Sequence, residues 1–144
     1  MVISYKTATA EDVDAILSLS RQLVEKYEDL STVNFQPICA WLRNKIVTHI
    51  DQYTCICIAG QTVGYYRLHP EGDATELDDF YILSDYRGKG IGTAVLQACC
   101  ERTEGDIFLY VFTGNTGAIR LYQRHGFTIT QYVGNSRCIM TRKG

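Results

Sequence analysis

The stretch "SDYRGKGIGTAVLQACC", residues 84 to 100, packs three glycines and two cations ahead of an apolar pattern of helical period. Gly88, Gly90 and Gly92 remove Cβ atoms where the backbone turns from strand to helix. Several N–H groups are then free to converge on an anion beside the helix N-terminus. Phosphate is the natural ligand, and Arg87 and Lys89 stand where they can add charge to a diphosphate. A nucleotide-type phosphate loop would need Ser or Thr after Lys89, where Gly90 stands; the dinucleotide fingerprint would need glycine where Thr93 stands. A plain strand-to-helix turn explains the same glycines.

Outward from this turn, elements alternate without repeats, linkers or low-complexity segments. After it, Ile91, Ala94, Val95, Ala98 and Cys99 form a helical stripe, and "DIFLYVF" is a near-continuous apolar strand. Ala118, Leu121 and Tyr122 stripe a further helix that Gly126 stops, and "FTITQYV" and "RCIMTR" close the chain as strands around "GNS". Before it, "VISYKTAT" alternates like a strand, Thr9 and Asp12 are spaced for a capping arrangement, and Val13 to Tyr27 recur at helical spacing. Pro37 is expected to open a second helix carrying Ile38, Trp41, Leu42, Lys45 and Ile46. "YTCICIA", a turn around Gly60 and Gln61, and "TVGYYRLH" make an antiparallel hairpin, with "PEGDA" turning into the strand "TELDDFYIL". The pattern predicts a mixed α/β (α+β) fold. Six or seven strands and about four helices are expected, antiparallel at first and parallel around the crossover helix after Gly92.

Composition narrows the function classes. The 144 residues fit one domain, 1–144, with an ordinary 46% hydrophobic and 21% charged content. A net charge of −2 and no basic tail argue against nucleic acid or anionic membrane as partners. No signal-peptide pattern or membrane-length apolar run is present, so a cytoplasmic protein is expected. The six cysteines include no C-x-x-C pair and read as reduced core residues; His49, His69 and His125 lack metal-ligand spacing, so no metal is expected.

Arg87-x-x-Gly90-x-Gly92, following "DFYILSDY", resembles the acetyl-coenzyme A loop of the GNAT superfamily of N-acetyltransferases. A second stretch, "LYVFTGNTGAIRLYQRHGF", is similar to the family's next motif, with Leu109, Val111, Asn115, Ala118, Leu121, Tyr122, Gly126 and Phe127 in register. The close resemblance spans roughly residues 76 to 127, and the flanking order of elements is the one that fold requires. It implies acetyl-coenzyme A as co-substrate and a sheet whose strands splay at the cofactor slot. The backbone from Arg87 through Gly88, Lys89, Gly90, Ile91 and Gly92 would wrap the pyrophosphate, and Thr93 would add a hydroxyl. Tyr81, Ile82 and Leu83 would pair with the pantetheine arm like an added strand. A backbone N–H from the Phe80 to Ile82 region would polarise the thioester carbonyl. Asn115 would lie near the cofactor arm, a position where it also suits a helix N-cap. Tyr122 would protonate the departing thiolate, although it also falls on the core stripe of its helix.

An alkylamine of pKa about 10.4 is only about one part in two thousand neutral at pH 7, so attack needs a proton acceptor. Glu76 is the first choice and Asp78 the second, or a water chain serves; a solvated acidic strand end explains the same residues. Strand alternation places Glu76 and Asp78 on one face with Phe80, and Asp79 on the other with Leu77 and Tyr81. The acids at 71, 73, 76, 78 and 79 would attract a cationic small-molecule or peptide amine. Direct transfer of acetyl to a primary amine is the expected reaction. A non-amine acyltransferase or an acyl-coenzyme A-binding regulatory protein on the same fold is the alternative. Exposed terminal strands allow a homodimer.

Overall fold

The computed structural model describes residues 1–144. The chain runs β1 (Ile3–Thr7), α1 (Val13–Tyr27), α2 (Phe35–Thr48), β2 (Tyr53–Ile58), β3 (Gln61–Glu71), β4 (Ala74–Ile82), α3 (Ile91–Arg102), β5 (Ile107–Phe112), α4 (Thr116–Arg124), β6 (Thr128–Val133) and β7 (Arg137–Arg142). All seven strands join one sheet in the order β1-β2-β3-β4-β5-β7-β6. Neighbours are antiparallel except β4 and β5, which the α3 crossover makes parallel. The expected mixed fold is the observed one.

Each face of the sheet carries its own core. Ile91, Val95, Leu96, Cys99 and Cys100 of α3 pack with Leu77, Ile107, Leu109, Tyr122 and Phe127 on one face. Val13 and Ile16 of α1 and Ile46 of α2 pack with Tyr53, Cys55 and Tyr65 on the other. The apolar spacing of the helices dictates these assignments, because residues three and four apart share a stripe.

Local chemistry moves several boundaries. The β2–β3 turn is Ala59–Gly60 rather than Gly60–Gln61; both residues have positive φ, 51° and 79°, the geometry of a two-residue hairpin turn matched to strand twist. Pro70, Glu71 and Ala74 belong to strands, leaving Gly72 and Asp73 as the turn. Helix α2 begins at Phe35, behind an extended Asn34, so Pro37 is its third residue; the first turn tolerates proline because its N–H groups lack helical partners.

The strand carrying the acids departs most from simple alternation. Between Tyr65↔Tyr81 and Arg67↔Asp78, β4 carries one more residue than β3, and Asp79 sits at φ 48°. This bulge advances the side-chain period by one. Asp79 therefore joins Asp78 and Glu76 on the α1–α2 face, while Phe80 packs with Leu77 on the α3 face. The expected grouping of Asp79 with Leu77, and of Phe80 with the acids, is corrected accordingly; Asp79 and Tyr81 do share a face.

Candidate active site

Strands β4 and β5 pair only at Thr75↔Ile107 and Glu76↔Phe108. Beyond those pairs they separate, and the edge of β4 from Leu77 onward has no strand partner on that side. The splay opens a slot through the middle of the sheet. Gly64 on β3 lets the far side close tightly, since a Cβ there would collide with the Tyr81 carbonyl oxygen.

One cleft, of about 730 Å³, runs from this slot to the glycine turn. Its walls include Tyr81, Ile82, Arg87, Gly88, Gly90, Ile91, Gly92, Thr93, Asn115 and Tyr122. Gly88 and Gly90 have φ of 73° and 82°, which only glycine adopts freely, and Gly90 is the N-cap residue of α3. The glycine turn and the N-terminus of α3, with its positive dipole end, thus border an open cleft. Leu83 and Lys89 do not line it. The Leu83 N–H donates to the Val63 carbonyl at 2.8 Å, and the Lys89 ammonium lies over the Tyr86 ring at 5.7 Å. Arg87 donates from Nε to the Ile82 carbonyl at 2.8 Å, stitching the turn to β4. Lys26 and Arg124 add cations that no motif in the sequence marks.

A second cleft, of about 820 Å³, opens on the α1–α2 side and holds Glu28, Trp41, Lys45, Arg67, His69, Glu71, Glu76, Asp78 and Asp79 among its walls. The two clefts meet, sharing Leu23, Phe80, Tyr81, Asn115, Ala118 and Tyr122. Asn115 accepts a hydrogen bond at Oδ1 from Ala118 N–H at 3.3 Å, so it caps α4 while its amide lines both clefts. Tyr122 is 8% exposed, and burial alone pushes its phenol above the ordinary range. It therefore holds its proton at neutral pH.

The acids of the second cleft are not equivalent. Asp79 accepts from Tyr53 Oη at 2.5 Å and Tyr81 Oη at 2.7 Å, and its Oδ2 lies 3.0 Å from Lys45 Nζ. Asp78 pairs with Lys45 at 3.1 Å and with Arg67 at 3.4 Å. Two carboxylates and two cations thus neutralise one another. Glu76 contacts no Lys or Arg. Its Oε1 lies 3.1 Å from His69 Nε2, and burial, then the neighbouring Asp78 charge, raises its carboxyl to about 7. Such a carboxyl is poised to take a proton at neutral pH. At the other end Glu28 accepts from Ser136 Oγ at 2.7 Å and has no cation partner.

Sequence spacing did not single out His69, yet β3 sets it directly opposite Glu76. His69, Glu71 and Glu76 offer donor atoms within 4.8 Å of one another. The ring meets Glu76 through Nε2 and leans toward Glu71 through Nδ1, at 3.8 Å, so opposite ring edges are used. One metal ion bound to one nitrogen does not reproduce that arrangement. Burial raises the thiols of Cys100 and Cys138 and pushes Cys55 up to about 12 and Cys99 up to about 11, which leaves these four as thiols rather than thiolates.

Residues 17–127 match the acetyltransferase (GNAT) family. The chain is 33% identical over 144 residues to the spermine/spermidine N(1)-acetyltransferase of Bacillus subtilis strain 168, covering 88% of each protein. A probable spermine N(1)-acetyltransferase of Bacillus subtilis subsp. natto is similar to the same extent. The fold also matches the PaiA N-acetyltransferase of Thermoplasma acidophilum solved with coenzyme A, at TM-score 0.73 and 18% identity over the whole of both chains. No helix of this protein is long and apolar enough to cross a membrane. With a slot opened by splayed strands, a glycine turn capping α3 and this family match, the chain belongs to the GNAT acetyltransferase family and is an acetyl-CoA-dependent N-acetyltransferase.

Proposed function

We propose that the acceptor is a spermine- or spermidine-type polyamine and that the roles divide between the two clefts. The meeting of the clefts at Phe80, Tyr81 and Tyr122 carries this reading, because a thioester entering from one side and an amine from the other are then adjacent. On the cofactor side, the amides from Arg87 to Gly92 hold the pyrophosphate at the α3 N-terminus, with the Thr93 hydroxyl beside them. The β4 edge from Tyr81 to Ile82 pairs with the pantetheine amides. Leu83, bonded to Val63, and Lys89, over the Tyr86 ring, support the turn instead.

The amine nitrogen attacks the thioester carbonyl, whose oxygen a β4 backbone N–H polarises. The N–C bond forms and the C–S bond breaks. Glu76 accepts a proton from the amine, while Tyr122 gives its own to the departing sulfur and recovers one from solvent. Asp78, tied to Lys45 and Arg67, shapes the cleft rather than serving as base.

A polyamine presents several ammonium groups joined by methylenes. Glu28 and Glu76, two of the three cleft carboxylates without a Lys or Arg partner, suit the charges, as does Glu71 at the rim, and Trp41, Tyr110 and Phe112 suit the methylene chain and its cations. The relatives named for spermine and spermidine acetylation fit that chemistry. The test is coenzyme A release with spermine, spermidine, a monoamine and a peptide N-terminus. Polyamines should give the highest kcat/KM, and Glu28→Gln should raise the spermine KM about tenfold while kcat holds, as expected for losing about 1.4 kcal/mol of ground-state binding. Equal turnover of the peptide, or a spermine KM unmoved by Glu28→Gln, would contradict this acceptor.

A further inference from the structure

Glu76 and His69 are cross-strand partners on β3 and β4, and the His69 side chain is 6% exposed. His69 Nδ1 lies 3.2 Å from the Pro70 carbonyl oxygen, which only accepts, so Nδ1 carries a proton. A neutral ring in that tautomer presents a bare lone pair at Nε2. An ionised Glu76 also presents only lone pairs, yet Nε2 and Oε1 approach to 3.1 Å. A contact that short between two acceptors needs one proton between them. We propose that His69 and Glu76 form a one-proton dyad, in which His69 positions the Glu76 carboxyl and shares the proton that the amine gives up.

The proposal rests on Glu76 being the base, and it supplies what a lone buried carboxylate lacks, a second atom over which to hold the proton. Above its midpoint the dyad gives the shared proton to water and keeps only the one on Nδ1; from that form, as the N–C bond forms and the C–S bond breaks, one amine proton enters the Oε1–Nε2 contact, while Tyr122 protonates the sulfur. Water in the cleft then removes the shared proton. The surroundings keep that proton toward oxygen. Burial first, then Arg67 on β3, disfavour an imidazolium, against the Pro70 carbonyl, Asp78 on β4 and Glu71 near Nδ1, while Lys45 and His49 from the α2 side stand in the same cleft wall.

The test is an NMR pH titration of the whole chain without substrates, following the His69 ring nitrogens and the Glu76 carboxyl carbon. Alongside it, kcat/KM is measured against pH for the natural chain, His69→Gln and Glu76→Gln. A dyad predicts one common midpoint for both residues, with Nδ1 protonated on both sides of it. His69→Gln should lower the kcat/KM plateau about tenfold, a part of what a positioned base supplies. It should also move the acid limb to lower pH, because a glutamine amide in place of the ring donates to the carboxylate and favours its ionised form. Glu76→Gln should abolish that limb. Separate midpoints, or a rate loss in His69→Gln that is equal at every pH, would overturn the dyad and leave His69 a structural residue. A common midpoint combined with an unchanged pH profile in Glu76→Gln would instead remove Glu76 from the base role and, with it, the dyad's part in proton transfer.

Discussion

A single oxygen at Tyr122 separates two roles that the sequence left open, a buried aromatic on the α4 stripe and a proton donor to sulfur. The structure gives it both settings at once, packed against Phe127 yet lining the junction of the clefts. Tyr122→Phe removes only the hydroxyl, so the melting temperature and acetyl-CoA binding should hold while kcat falls about 100-fold, the scale of a general acid. A rate within a factor of about two of the natural enzyme would assign Tyr122 to packing alone. Glu76 allows a second test, through stability. Its carboxyl is raised from 4.5 to about 7, so the folded protein binds a proton more tightly than the unfolded chain. That contribution is complete below 4.5 and is lost as pH rises through about 7. Chemical denaturation across that window should show a decline that Glu76→Gln lacks.

At the scale of elements, the glycine turn was legible because it is a local device whose residue types and spacing are fixed by backbone geometry. The same holds for α3 and for the Asn115 cap of α4, where spacing alone places the side chains. The bulge in β4 was not legible. Nothing in "TELDDFYIL" announces that Asp79 takes positive φ, a conformation Asp tolerates better than most residues. The partners that accompany it are mostly distant in the chain, since Tyr53, Ser20 and Lys45 join the near neighbour Tyr81 at that carboxylate. Counting acids along the strand therefore overstated the negative charge, because Lys45 and Arg67, far away in the chain, neutralise two of them. His69 escaped for the same reason: only the β3–β4 register sets it opposite Glu76. Asp79→Ala would leave the Tyr53 hydroxyl without its acceptor, Tyr81 with Ser20 alone and Lys45 with Asp78 alone. Denaturant titration should report a loss of about 3 kcal/mol, as for a broken buried ion pair. A loss under about 1 kcal/mol would mean that the bulge is held by the backbone alone.

Across the whole molecule, the sheet does its chemical work by failing to close. Seven strands supply two cores, yet β4 and β5 part after two pairs, and the gap joins a cleft ending at the α3 N-terminus to one lined by Glu28 and Glu76. In the proposed division of roles, an anion-binding site faces an ammonium-binding site with the reacting atoms between them. The cofactor half decides whether the rest follows, and Thr93 gives the cleanest access to it. Thr93 is exposed in the first turn of α3, where a carboxylate favours the helix dipole, so Thr93→Glu should fold as well as the natural chain while opposing a pyrophosphate. The deciding measurement is calorimetric titration of both proteins with acetyl-CoA, beside their melting curves. Saturable binding to the natural chain is expected, with at least about 100-fold weaker binding to an equally stable Thr93→Glu, the cost of roughly 2.7 kcal/mol of anion repulsion and lost contact. Undiminished binding to Thr93→Glu would contradict a pyrophosphate at the α3 N-terminus and place the phosphates elsewhere.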